Sequence, residues 1–111
     1  MHTLIPLDFG GKPIVAFVSG TVQWFNLYDM LDALGIKDWD EEDSERLGEE
    51  NWAIADIVEP EIRETIVVVN LAGLFRLLSY SNPEVAKQCM SWLSVIALPC
   101  MARPGMAVLA R

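Results

Sequence analysis

Twelve of the sixteen carboxylates in this chain fall between Asp38 and Glu64, and only Arg46 and Arg63 accompany them, so this stretch carries a local charge of −10. Carboxylates crowded in sequence can hold a cation, move protons or present a polyanionic face. Asp38, Asp40, Glu42 and Glu49 lie close enough to suggest a calcium loop. They lack the central glycine and terminal glutamate of the EF-hand spacing, so no metal is expected. Two readings remain: a solvated loop, or a surface that mimics nucleic-acid charge and docks on a basic partner. On the second reading the docking residues are Trp39, Asp40, Glu41, Glu42, Glu45 and Trp52. The two tryptophans flank the acids, either as interface hot spots or as core anchors for the loop.

Catalytic chemistry has little to draw on. His2 is the sole histidine and sits at the terminus, so neither a histidine base nor a histidine-containing metal site can be assembled. Cys89 and Cys100 lack the close Cys or His partners of a zinc site and read as reduced, mostly buried thiols. The glycines are scattered or sit at turns, and no glycine-rich phosphate loop is present. The expectation is a protein with no catalytic residues and no cofactor.

The cations lie elsewhere. Residues 1–37 carry −1, and residues 65–111 carry +3 through Arg76, Lys87, Arg103 and Arg111 against Glu84. Arg76, Lys87 and Arg103 are the candidate contacts to a polyanion. Met90, Met101, Met106 and Leu109 give the C-terminal region an apolar, adaptable character suited to a protein partner or to pairing in a homodimer.

The elements that must position these residues follow from periodicity. Pro13–Val18 and Thr21–Phe25 are β-branched and aromatic runs around Ser19-Gly20, which predicts a hairpin. Asn26 then caps a helix bearing Leu27, Met30, Leu31 and Leu34 on one face, stopped by Gly35. The span from Asp38 to Glu50 reads as a loop with one helical turn ended by Gly48. Trp52–Val58 and Glu64–Val69 form a second strand pair. Asn70 caps a helix with Leu71, Leu74, Phe75 and Leu78 on its apolar face. Pro83 opens a third helix with Val85, Cys89, Trp92, Leu93 and Ile96 as its buried stripe, ending at Pro99. The fold class is therefore α+β, a small antiparallel sheet of β-hairpins with about three helices packed on it.

The whole chain has 111 residues, of which 52% are hydrophobic and 22% charged, enough apolar surface for one domain and no more. Its core spans about 13–99, with an apolar tail over 100–111. There is no leader pattern and no uninterrupted apolar run of membrane-spanning length, so the expected location is the cytoplasm. The net charge of −8 disfavours nucleic acid as a partner.

Together these motifs resemble a known family. Val69-Asn70-Leu71-Ala72-Gly73-Leu74-Phe75-Arg76-Leu77-Leu78, Ser81-Asn82-Pro83-Glu84-Val85-Ala86-Lys87, Trp92-Leu93 and Leu98-Pro99 look like the Bro-N domain of phage antirepressors and baculovirus repeated-ORF proteins. Trp24-Phe25, Asp29 and Ala33-Leu34-Gly35 are similar to its N-terminal part. The resemblance implies a phage or prophage regulatory module in a bacterial host, without enzymatic activity, in which some members bind DNA and others bind a repressor.

Where the family commonly carries Lys or Arg, this chain has Gln88, Cys89, Met90, Ser91, Cys100, Met101 and Ala102. That departure favours a protein partner. The reading is an antirepressor-like module that inhibits a repressor or another nucleic-acid-binding protein. The alternative is a sequence-specific DNA-binding regulator using Arg76, Lys87 and Arg103.

Overall fold

The computed structural model describes residues 4–59 and 62–102. Arg103, Met106 and Leu109 lie outside the described residues. The elements are β1 (Ile5–Phe9), β2 (Lys12–Ser19), β3 (Val22–Asn26), α1 (Leu27–Leu34), two 3₁₀ helices (Glu41–Leu47 and Glu49–Asn51), β4 (Trp52–Glu59), β5 (Ile62–Val69), α2 (Leu71–Leu78) and α3 (Pro83–Trp92). The helical backbone of α3 continues through a π segment (Leu93–Ala97) to Ala102. The α+β class expected from the sequence is the fold observed.

The five strands form one antiparallel sheet in the order β1-β2-β3-β5-β4. The first strand has no counterpart among the elements expected from the sequence. Pro6 argues against a strand in a run this short, yet it stands on an edge, opposite Val15. The Val15 N–H is bonded to the Asp29 carboxylate on the other side of β2, so the Pro6–Val15 pair exchanges no ladder bonds and the missing proline donor faces the open edge. Gly10 and Gly11, both at positive φ, close the β1–β2 hairpin.

The β2–β3 hairpin turns at Gly20-Thr21 rather than at Ser19-Gly20, because Ser19 still pairs with Val22. Asn26 and Gly35 bound α1 as their residue types require. The Asn26 side chain accepts from the N–H groups of Tyr28 and Asp29, and Gly35 adopts a left-handed conformation at φ 70°.

Each face of the sheet carries a buried apolar cluster. On one, Ile14, Ala16, Phe25 and Val69 pack with the helices through Leu27, Met30, Leu31, Leu74, Leu77, Trp92 and Leu93. On the other, Phe17, Ile66 and Val68 are buried with Trp24, Ala53, Ala55 and Ile57 against them. β5 meets β3 only at Phe25–Val69 and Asn26–Val68, so the β4–β5 ribbon is held at its base and its side chains complete this second core.

Three expectations about the last helix are corrected. It does not stop at Pro99, because the π turn just before it, in which the Leu98 N–H reaches back to the Leu93 carbonyl, opens the backbone where proline would otherwise clash. The extra residue of that turn rotates the helix face. Ile96 is therefore exposed, and Ala97 and Met101 are buried in its place. Met101 is a core residue and not part of an outward partner surface. The resulting helix, Pro83–Ala102, has 20 residues and is apolar enough by composition to span a membrane. Here Cys89, Trp92, Leu93, Ala97 and Met101 seat it in the domain core.

Candidate functional site

The acidic stretch is a built structure rather than a solvated loop. Asp40 starts the first 3₁₀ helix, where its N–H donates to Asp43 Oδ2 at 2.8 Å and its carbonyl accepts from the Asp43 N–H at 2.9 Å. Asp43 also meets Arg46 at 3.5 Å. Ser44 and Leu47 turn inward, Leu47 with no exposed surface. Glu41, Glu42 and Glu45 point outward on the same short helix, and none of the three has a hydrogen bond or ion pair among the described residues. With three residues per turn, Glu42 and Glu45 share a face turned away from the buried Ser44 and Leu47, and Glu41 is exposed at the start of the helix.

Two asparagines lock this segment to the rest of the domain. The buried Asn51 donates from Nδ2 to the Leu47 carbonyl at 2.8 Å. Its backbone carbonyl accepts the Asn70 N–H at 3.1 Å, and its Oδ1 lies 3.3 Å from Asn70 Nδ2. Asn70 meanwhile caps α2 by accepting the Gly73 N–H at 2.9 Å. Sequence periodicity found Asn70 as a helix cap. It missed Asn51, because a buried asparagine among acids reads as one more polar loop residue.

Beyond Asn51, a cleft of about 440 Å³ is lined by Glu45, Glu49 and Trp52. It opens at the first residue of β4, so the cleft is continuous with the edge of the sheet. Two of the six sequence-derived docking residues, Glu45 and Trp52, meet here. Trp52 is half-buried against the helix-side core. Trp39 is half-buried too, packed on that core and edge-on to the Tyr80 ring at 5.8 Å, with its Nε1 buried and unpartnered among the described residues. Trp39 therefore anchors the segment from behind instead of presenting a free face.

The candidate cations do not converge in the same way. Arg76 on α2 leans over the acidic segment: a Cβ added at Gly48 would stand 2.8 Å from Arg76 Nη1. Lys87 is exposed on α3. Met90 (47%), Ile96 (48%) and Val95 (70%) are exposed on the long helix among the polar Glu84, Gln88, Ser91 and Ser94. Of the four apolar candidates, Met90 lies at the surface, Met101 lies in the core, and Met106 and Leu109 are outside the described residues. Val95 and Ile96 were missed because the π turn broke the period that would have placed them.

Among the described residues no group of three or more His, Cys, Asp or Glu is arranged to hold a metal ion. Cys89 is fully buried, and desolvation pushes its thiol up to about 11, which keeps it protonated and inert at neutral pH. The remaining signature residue, Asp29, has a structural task. Its carboxylate accepts the Val15 N–H at 2.9 Å where β3 leaves the sheet to become α1.

Residues 14–99 match the model of the BRO family, N-terminal domain. No curated protein and no solved structure matches the chain.

Proposed function

The chain belongs to the BRO family through its N-terminal domain, a family of phage antirepressor-like and DNA-binding regulators, and from that premise we propose that it is a non-enzymatic, antirepressor-like regulator that inhibits a repressor or another nucleic-acid-binding protein by binding it. The supporting observation is the set of exposed, unpaired carboxylates Glu41, Glu42 and Glu45 on a short 3₁₀ helix that Ser44 and Leu47 fix in the core. Such a surface complements the basic, phosphate-contacting face of a DNA-binding protein and steers its encounter. Met90 on α3 and Val95 and Ile96 on the π segment that continues it supply further apolar contacts on the same small domain. A homodimer would pair through the same residues, and the module acts in the cytoplasm of a bacterial host.

The DNA-binding alternative rests on Arg76, Lys87 and Arg103. Arg76 stands beside Gly48 of the acidic segment, and Arg103 lies outside the described residues. Even with all of them counted, Arg76, Lys87, Arg103 and Arg111 offer at most four phosphate contacts against a net charge of −8. The test is a low-salt mobility shift with random-sequence duplex, run beside operator DNA already bound by a phage repressor. Release of the repressor without a shift of free duplex is expected. A direct shift that falls steeply with salt would instead support DNA binding.

A further inference from the structure

β4 is an edge strand of eight residues with no strand partner on its outer side among the described residues. Its hydrogen-bonding parity follows from one contact. The Asn70 N–H donates to the Asn51 carbonyl, and the register continues unbroken through Trp52–Val69, Ala53–Val68 and onward to Glu59–Ile62. In an antiparallel ladder, bonded and non-bonded pairs alternate. Asn51, Ala53, Ala55 and Ile57 therefore turn their N–H and C=O groups towards β5. Trp52, Ile54, Asp56 and Val58 turn theirs to the open edge.

The side chains of those four residues share one face of the strand. Ile54 is 65% exposed and Val58 is 47% exposed. An edge this long, with apolar side chains and neither lysine nor a bulge to blunt it, is a template for strand addition. The open donors and acceptors begin at Trp52, which also lines the cleft with Glu45 and Glu49.

We propose that an extended basic segment of the partner protein adds to β4 as a sixth strand and places a Lys or Arg side chain in the Glu45–Glu49–Trp52 cleft. Two carboxylates and an indole face are the chemistry that holds a cation. Along the added strand, every second residue faces in turn the cleft at Trp52, the apolar Ile54, the carboxylate of Asp56 and the apolar Val58. The edge thus selects alternating cationic and apolar residues on one side of the incoming segment. Asp56 spends Oδ1 on the Thr65 hydroxyl at 2.8 Å and keeps its other oxygen for a cation. A second copy of this chain is disfavoured as occupant, because it would bring its own Asp56 and a charge of −8 to the same edge. The inference rests on the reading of the module as a binder of a basic protein and names where that partner attaches.

The probe is a fluorescein-labelled eight-residue peptide with lysines facing Trp52 and Asp56, valines facing Ile54 and Val58, and serines between, read by fluorescence anisotropy against the whole chain. Saturable binding that weakens with salt is expected. The Ile54→Pro variant removes an outward-facing N–H and no bond to β5, so it should fold and bind about tenfold or more weakly, a loss of ~1.4 kcal/mol or more. The Glu45→Gln, Glu49→Gln double variant should weaken binding likewise.

Should Ile54→Pro prove unstable, amide hydrogen exchange of the unaltered protein replaces it: the Ile54 and Val58 N–H groups should slow when peptide is added. Unchanged exchange, unchanged binding by Ile54→Pro, or no binding by the unaltered protein overturns the proposal. An Ile54→Pro-sensitive dimer in sedimentation also overturns it, by assigning the edge to a second copy. Release of a repressor from its operator by Ile54→Pro at full strength overturns the edge site while leaving the antirepressor reading intact. Failure of the unaltered protein to release any repressor removes that reading instead.

Discussion

Asn70 donates its backbone N–H to the Asn51 carbonyl at 3.1 Å and brings its side-chain amide to 3.3 Å from Asn51 Oδ1. The pair joins the end of the acidic segment to the start of α2, so the same two residues set the first rung beside β4, cap a helix and fix the free carboxylates in place. Asn51 is buried, and its Nδ2 is committed to Leu47. Asn51→Ala leaves the Leu47 carbonyl without its partner in the core and should cost about 1–3 kcal/mol in urea unfolding. The expected signature is faster amide exchange over Asp40–Asn51 before the rest of the domain opens.

Gly73 lies inside α2, where alanine would ordinarily be the better helix former by ~1 kcal/mol. Its Cβ would stand 2.7 Å from the Asn51 carbonyl oxygen. Gly73→Ala should therefore destabilise the domain, by about 1–3 kcal/mol, because backbone must move to admit the methyl group. A rise in thermal midpoint would show that α2 does not press on Asn51 in solution.

Asp29 substitutes for a strand where β3 departs, accepting the Val15 N–H. Asp29→Ala strands that donor and should cost about 1–3 kcal/mol in chemical denaturation. Asp29→Asn keeps an acceptor oxygen and should cost less. Equal losses from both variants would assign the effect to charge and not to the hydrogen bond.

The two thiols should behave differently. Cys100 is partly exposed and Cys89 fully buried, so a thiol reagent at pH 8 should label Cys100 in the native protein and Cys89 only on unfolding. The raised Cys89 value of about 11 against an ordinary 9.0 has a stability consequence. Between those values the unfolded thiol loses its proton and the folded one keeps it, so stabilisation present below pH 9 is lost as pH rises towards 11. Cys89→Ala should flatten the alkaline fall in thermal midpoint over that window, measured against the unaltered chain.

Local chemistry made much of this fold legible. Asn26, Gly35, Asn70 and Pro83 mark helix ends by properties each residue carries alone, and the structure has them there. What escaped were features that depend on remote partners. Pro6 is compatible with a strand only because it sits on an edge, and Ile96 is exposed only because a π turn shifts the helix phase. The acidic segment was visible as charge, but not its shape. Trp39 and Trp52 sort into anchor and cleft wall only once Tyr80, Glu45 and Glu49 are placed beside them. Met101 lies in the core although its spacing from Pro99 suggested a tail.

Binding of a basic protein by the exposed carboxylates of the first 3₁₀ helix is what the proposed function requires. Its most direct test is the affinity of this chain for a DNA-binding phage repressor, measured across a salt series for the unaltered protein and for the Glu41→Lys, Glu42→Lys, Glu45→Lys triple variant. These side chains are exposed and have no partner among the described residues, so folding stability should hold within about 0.5 kcal/mol. Binding should weaken with salt in the unaltered protein and be both weaker and less salt-sensitive in the variant. Equal affinity and equal salt dependence of the two proteins would contradict it.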